Sequence, residues 1–324
     1  MHRGVRYLVS LSNNLPYLRF LSSKKTVILL YHSVPRQGIG ELINAAVFER
    51  HILTLKKEFR IIPHTELHIR RTAREPRRVL LTFDDGFRNH AEVVAPILRK
   101  HNVPATFFVC SRSAQPRKYL WFSYIRALEN HFQGNGFSFR SMFVDMSRNN
   151  RRASIQQLED ILLKLQPHPL RLYEAIETEL PQLEDFVTEE RLADGYAGMT
   201  AEQLRDLSRD SLFSIGGHTL DHPFLSRCER AEARRQVLEN KRWIEEITGR
   251  SCEAIAYPSG DYNADVLADC EQIGLKEGHA VIPRVGTHAD FELPRVGIYS
   301  TSIDILRFKA QWGNLIRKLG LSLG

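Results

Sequence analysis

Two neighbouring carboxylates, Asp84 and Asp85, close the apolar run Val79–Leu80–Leu81–Thr82–Phe83, and Gly86 follows them. Far downstream, His218 and His222 stand four apart in Gly216-Gly217-His218-Thr219-Leu220-Asp221-His222-Pro223. Two carboxylates and two imidazoles can supply three ligands to one divalent cation, with a general base left over and a coordination position for water. That is the donor set of a hydrolytic metal site. With Asp85, His218 and His222 as ligands, it suits zinc; cobalt, nickel, manganese and iron are the other borderline ions. Asp84, beside the ion rather than on it, would take the proton from water. His32 is the best placed acid for a departing amine, although an imidazole at that position also reads as packed core.

The bland readings are specific. Asp-Gly is a common turn, and Asp85 could equally cap a helix over Phe87–Lys100. Adjacent residues of a strand face opposite ways, so Asp84 and Asp85 share a site only if the chain turns there, which Gly86 permits. The spacing of His218 and His222 fits one face of a helical turn or a tight loop.

These residues need elements that bring them together. Short apolar runs at Val27–Tyr31, Val79–Phe83, Ala105–Val109, Leu212–Ile215, Ala254–Tyr257, His279–Ile282 and Leu293–Ile298 read as buried parallel strands. Helical spacing separates them: Phe48, Ile52, Leu55 and Phe59; Val93, Ile97 and Leu98 before Asn102 and Pro104; Val237, Trp243, Ile244 and Ile247 before Gly249. Strands alternating with helices, with about seven strand candidates, predict an α/β barrel of parallel strands. No GxGxxG or Walker-type loop follows a strand, so a nucleotide fold is not indicated. His32, the Asp84–Asp85 pair, His218 and Tyr257-Pro258-Ser259-Gly260 each follow a strand. All would therefore reach the C-terminal mouth, where such barrels place active sites. Residues from about 117 to 199 break the rhythm with helices over Trp121–Phe132, Ile155–Leu165 and Leu170–Leu180 and a small hairpin in Phe137–Met146. This mainly helical insertion is expected to form one wall of the cleft. Phe107, Phe108, Trp121, Phe122 and Tyr124 are the candidates to stack on a sugar, most of them reading as core.

Thr82-Phe83-Asp84-Asp85-Gly86, His218-Thr219-Leu220-Asp221-His222-Pro223 and Tyr257-Pro258-Ser259-Gly260, in this order, resemble the leading motifs of the polysaccharide deacetylases, the NodB homology group or carbohydrate esterase family 4. The resemblance runs from about Thr26 to Ile298, apart from the insertion. It implies a distorted (β/α) barrel and metal-dependent removal of an acyl group from an amino sugar. On this resemblance Asp84 is the base; Asp85, His218 and His222 hold the metal; and a backbone N–H near Ser259 steadies the oxyanion. Two departures stand out. Ala256 occupies a position where many members have Arg, and Arg295 is the candidate to supply that cation beside Asp84. The late histidine of many members has only His279 and His288 as candidates. His32, in Tyr31-His32-Ser33-Val34, is similar to the early histidine of the exopolysaccharide de-N-acetylase branch and is taken as the acid.

The chain has 324 residues, a net charge of +7 and a pI near 9.3. A basic arm over 1–25 precedes a barrel over 26–300, and 301–324 reads as an amphipathic C-terminal helix. No Asp or Glu precedes Glu41, whereas Arg3, Arg6, Arg19, Lys24, Lys25 and Arg36 do. The expected partner is an N-acetylated carbohydrate or lipid-linked sugar, with peripheral membrane contact through the basic ends. The expected location is cytoplasmic, at the inner face of the membrane, because no signal-peptide pattern or long apolar run is seen. Cys110, Cys228, Cys252 and Cys270 lack metal-type spacing and read as small buried hydrophobes, with one disulfide left open. Nucleic acid is not an expected partner: pI alone points to it, and no recognition motif does. The rival functions are an O-acetyl esterase on the same site and a non-catalytic carbohydrate- or lipid-binding module.

Overall fold

The structure is a computed structural model that describes residues 26–38, 43–69, 72, 75–286 and 288–318. The basic arm over 1–25 and the chain end over 319–324 lie outside the described residues.

Seven parallel strands close into a barrel: β1 (Val27–Tyr31), β3 (Arg78–Phe83), β4 (Ala105–Val109), β7 (Phe213–Gly217), β8 (Ala254–Ala256), β9 (Glu277–Ala280) and β10 (Leu293–Gly297). Closure is made by β1, which pairs with β10 on one side and with β3 on the other. A two-residue strand, β2 (Arg60–Ile61), joins the N-terminal end of β3. Both faces of these strands are covered, so β1 and β3 are buried along their whole length. That double burial is why they appear in the sequence as unbroken apolar runs rather than alternating ones.

Helices surround the barrel. The first, α1 (Ala45–Glu58), buries Val47, Phe48, Ile52 and Leu55 and is capped by Asn44, whose side chain accepts from the Val47 amide. A π-helical turn over His90–Val94 leads into α2 (Ala95–Lys100). The insertion contributes α3 (Trp121–His131), the hairpin β5 (Gly136–Phe139) and β6 (Met142–Asp145), α4 (Arg151–Leu163), α5 (Pro169–Glu179) and α6 (Glu189–Gly195). It has its own core, in which Tyr124, Leu128, Phe139, Leu158 and Leu172 are buried together. Then come α7 (Ala201–Arg209), α8 (Arg230–Thr248), α9 (Ala264–Gln272) and α10 (Ile303–Lys318). α8 ends at Gly249, left-handed at φ 66°. α10 packs on the body, burying Leu306, Ala310 and Trp312.

Strand alternation sorts the interior into levels. Along β4, Thr106 and Phe108 share a face; along β9, Glu277 and His279 do; along β3, Leu80, Thr82 and then Asp84 do. The expected run at His279–Ile282 is displaced: β9 starts at Glu277, and Ile282 is 60% exposed beyond its end. Glu277 carries no mark in the sequence, because its burial depends on partners from elsewhere in the fold. All four cysteines are free, and burial pushes the thiols of Cys252 and Cys270 up to about 12.

Candidate metal centre

Asp84 continues the β1–β3 ladder, its amide donating to the Tyr31 carbonyl at 3.1 Å. Its side chain therefore points into the barrel mouth. Asp85 would face outward in a regular strand, but φ is 77° at Asp85 and 72° at Gly86, and the chain turns back. A Cβ on Gly86 would lie 2.7 Å from Val109 Cγ1, so this turn has no room for a larger residue. Asp85 does not cap the following helix. Its carboxylate faces His218 Nε2 at 3.3 Å and His222 Nε2 at 3.5 Å.

His218 and His222 sit on a tight loop after β7 rather than on a helical turn. Thr219 and His222 have φ of 68° and 55°, and the Thr219 hydroxyl accepts from the His222 amide at 3.0 Å. Two residues of α8 hold the loop. Asn240 accepts from the His218 amide at 3.0 Å and donates to the Val109 carbonyl and the Ser111 hydroxyl. Gln236 accepts from the Asp221 amide and donates to the Asp221 carboxylate, each at 2.8 Å. Gly217 allows this, because a Cβ there would lie 2.6 Å from Asn240 Oδ1. Neither Asn240 nor Gln236 drew notice in the sequence; their only mark is polar residues four apart on an otherwise apolar helix face.

The donor set fits a borderline divalent ion. Asp85, His218 and His222 offer one atom each, all within 4.8 Å of one another, and all three residues are buried. His218 Nδ1 donates to the Ala256 carbonyl at 2.8 Å, which turns its Nε2 toward Asp85. Burial and the His218 charge hold His222 down at about 4, so it is neutral at ordinary pH. Burial would lower His218, but Asp84 and Asp85 raise it. Burial pushes Asp85 up, and the histidines around it outweigh that and hold it ionised.

Arg295, reaching in from β10, grips Asp84 with both arms of its guanidinium, at 2.6 and 2.7 Å. Both side chains are almost wholly buried. Burial alone would raise the Asp84 carboxyl; Arg295 and His218 more than offset this and keep its pKa low.

The surrounding cleft has a volume of about 650 Å³. His32, Tyr257, Ser259, Gly260 and Tyr299 line it from the barrel, and Trp121, Phe122, Arg126, Glu159 and Leu163 line it from the insertion. His32 stacks on Tyr299 with ring centroids 5.7 Å apart. Its Nδ1 has no hydrogen-bond partner among the described residues. Phe122 lies edge-on to His222 at 4.8 Å. Phe107 and Phe108 are core, and Tyr124 is buried in the insertion with its hydroxyl on the Pro181 carbonyl. Tyr299 was overlooked in the sequence, although it follows a strand as the other mouth residues do. His279 and His288 do not line this cleft. His279 lies deeper in the barrel, against Phe108 and Glu277.

A closed parallel barrel with its donors gathered at the C-terminal mouth is an α/β barrel whose candidate site is built on the strand ends. The sequence model of the family described as polysaccharide deacetylase matches residues 71–175 and 186–278, more than half of the chain. The chain belongs to the polysaccharide deacetylase family. The match takes in much of the insertion but begins after His32 and stops before Arg295. YxkH of Bacillus subtilis (strain 168) is 26% identical over 263 residues, which is 80% of this chain and 65% of that protein. This chain thus spans about 65% of that relative's length. Among solved structures, the Streptococcus pyogenes deacetylase PplD in complex with acetate has a TM-score of 0.57 at 18% identity, covering 89% of this chain and 98% of that one. IcaB from Ammonifex degensii has a TM-score of 0.56 at 16% identity, covering 90% and 97%. These two likenesses are of fold.

Proposed function

We propose that the protein removes an N-acetyl group from an amino sugar of a polysaccharide or glycolipid. Asp85, His218 and His222 would hold a divalent transition ion, zinc foremost. The observation that carries this reading is Asp84: a buried carboxylate beside the three-ligand cluster, off the cluster itself, and fixed by Arg295.

When bound, the ion lowers the pKa of a water molecule and polarises the amide carbonyl. The chain supplies the rest. Arg295 keeps Asp84 ionised and fixes its plane. The guanidinium fork takes one lone pair from each carboxylate oxygen, which leaves each oxygen another with which to accept a proton. The turn over Pro258–Gly260 supplies the oxyanion donor. The Tyr257 amide is engaged by the His279 carbonyl, Pro258 has no N–H, and the Gly260 and Asp261 amides close the turn. Ser259, held at φ 54° and exposed at the mouth, is the residue whose N–H those bonds leave to the cleft. An amine leaves readily only when protonated. His32 lines the cleft, which supports it as the group that gives that proton.

The test is Asp84→Asn. Acetate release from N-acetylated oligosaccharides should fall by about 10²–10⁴-fold, the usual worth of a general base, while zinc content measured by mass spectrometry is unchanged. Activity within a few-fold of the parent would remove Asp84 from the chemistry.

A further inference from the structure

The opposite, N-terminal mouth of the barrel holds a second set of donors that the deacetylase reading does not use. Glu277 opens β9 and is 6% exposed. His64 Nε2 meets its Oε1 closely, and His279 Nε2 lies 3.0 Å from the same oxygen. His68 Nε2 lies 2.7 Å from Oε2. We propose that His64, Glu277 and His279 bind a second divalent transition cation, with His68 as an outer, solvent-facing ligand.

Charge is the first reason. A carboxylate taken out of water needs a countercharge. Asp84, at the other mouth, has Arg295. Glu277 has three imidazoles, and among the described residues no Lys or Arg pairs with it. A divalent cation among these donors supplies the missing charge and uses imidazole lone pairs in place of imidazole protons.

Geometry is the second. His64, Glu277 and His279 each offer an atom within 4.8 Å of the others, as Asp85, His218 and His222 do, and with the same composition of two imidazoles and one carboxylate. Two imidazoles and a carboxylate suit zinc and its neighbours better than calcium or magnesium. His64 Nδ1 is held by the Thr106 hydroxyl at 2.9 Å, and this directs its Nε2 to Glu277, as an outer partner commonly does for a ligating histidine. His64 and His68 lie four apart on the turn after β2, so both reach one carboxylate. A cavity of about 550 Å³ opens onto His64, His68, Thr106 and Glu277 and gives an ion its way in. The ion would tie the turn after β2 to β9 across the barrel floor. The inference does not depend on the reading of the upper mouth.

The experiment uses the full chain, stripped with a chelator, reloaded with Zn²⁺, desalted and assayed for bound zinc per chain. Two equivalents are expected for the parent protein, and one for a variant carrying both Asp85→Ala and His222→Ala. One is also expected for Glu277→Gln. If Glu277→Gln does not fold, His64→Gln, in a surface turn, should show the same single equivalent. Zinc should raise the melting temperature of the Asp85→Ala/His222→Ala variant, and Co²⁺ in that variant should give anomalous scattering beside Glu277. One equivalent in the parent and none in Asp85→Ala/His222→Ala would mean a histidine–glutamate hydrogen-bond cluster only, and would overturn the proposal. One equivalent in the parent that is lost in Glu277→Gln but kept in Asp85→Ala/His222→Ala would uphold it and overturn the upper site instead.

Discussion

The two mouths of this barrel each carry two imidazoles and a carboxylate and differ in nearly everything around them. At the C-terminal mouth the donors sit on loops that leave the strands, and Asp85, Thr219, His222 and Ser259 all have positive φ. At the N-terminal mouth His64, His68, Glu277 and His279 have ordinary backbone. Strain of this kind persists only where the surroundings impose it, and it gathers at sites of chemistry. The upper mouth also has a carboxylate outside its donor cluster, Asp84, and an aromatic wall from the insertion. At the lower mouth, three imidazoles converge on Glu277. A ligand cluster is therefore not by itself a catalytic site. What separates the two mouths is a buried carboxylate outside the donor cluster, an aromatic wall from the insertion and a backbone bent to hold the donors in register.

The first way to break that contrast is to remove the guanidinium that sets Asp84 apart. Arg295→Met should cost about 3–5 kcal/mol of stability, because a buried carboxylate loses its partner. The sign of its pH effect follows from the present balance. The folded-state pKa of Asp84 is depressed, so the stabilisation is present above the unfolded value and fades as pH falls through the folded one. Without Arg295, burial prevails and the pKa rises. The acid limb of the kcat/KM profile should then move to higher pH. An unmoved limb in a folded variant would show that Arg295 does not govern Asp84.

A smaller effect is expected from His32→Gln. An acid that protonates the departing amine is worth about 10²-fold or more in kcat. An alkoxide leaves more easily, so the loss should be much less on an O-acetylated substrate. Equal losses on both substrates would make His32 a packing partner of Tyr299 and leave the upper mouth without its acid.

The two mouths also differ in how much of each the sequence reveals. Strands buried on both faces appear as apolar runs, and their ends locate His32, Asp84, Asp85, His218 and the Tyr257–Gly260 turn. Arg295 was legible only through the family resemblance, as the candidate to supply the cation that many members carry at the position of Ala256. The lower cluster had no such mark. His64 and His68 follow a two-residue strand too short to register, and Glu277 lies among Lys276 and Gly278, which look like loop. Its burial is purely tertiary, created by imidazoles more than 200 positions away in the chain. Asn240 and Gln236 escaped notice for the same reason: their role exists only once α8 lies against the loop after β7.

The turn that brings Asp85 inward gives a third test, because only the upper mouth depends on such a bend. Gly86→Ala places a Cβ 2.7 Å from Val109 Cγ1 at a φ of 72° that an L residue rarely adopts. A loss of about 1–3 kcal/mol is expected from the overpacking and strain. Metal affinity at the upper mouth should fall with it, while zinc at Glu277 is retained. A thermal melt and a zinc titration on the same sample would check both halves, and loss of the Glu277-bound ion as well would mean that the mouths are not independent.

The smallest effect tests whether the insertion's wall touches substrate. Phe122 lines the cleft and lies edge-on to His222. Leucine at this position keeps an apolar shoulder against the imidazole but removes the ring face on which a sugar could lie. An aromatic contact is worth about 1 kcal/mol beyond its area, so Phe122→Leu should raise KM roughly fivefold and change kcat by less than about twofold. The split is what matters. A fall in kcat with constant KM would mean that Phe122 serves by bracing His222, and the insertion would then belong to the metal centre's support rather than to the recognition of the sugar.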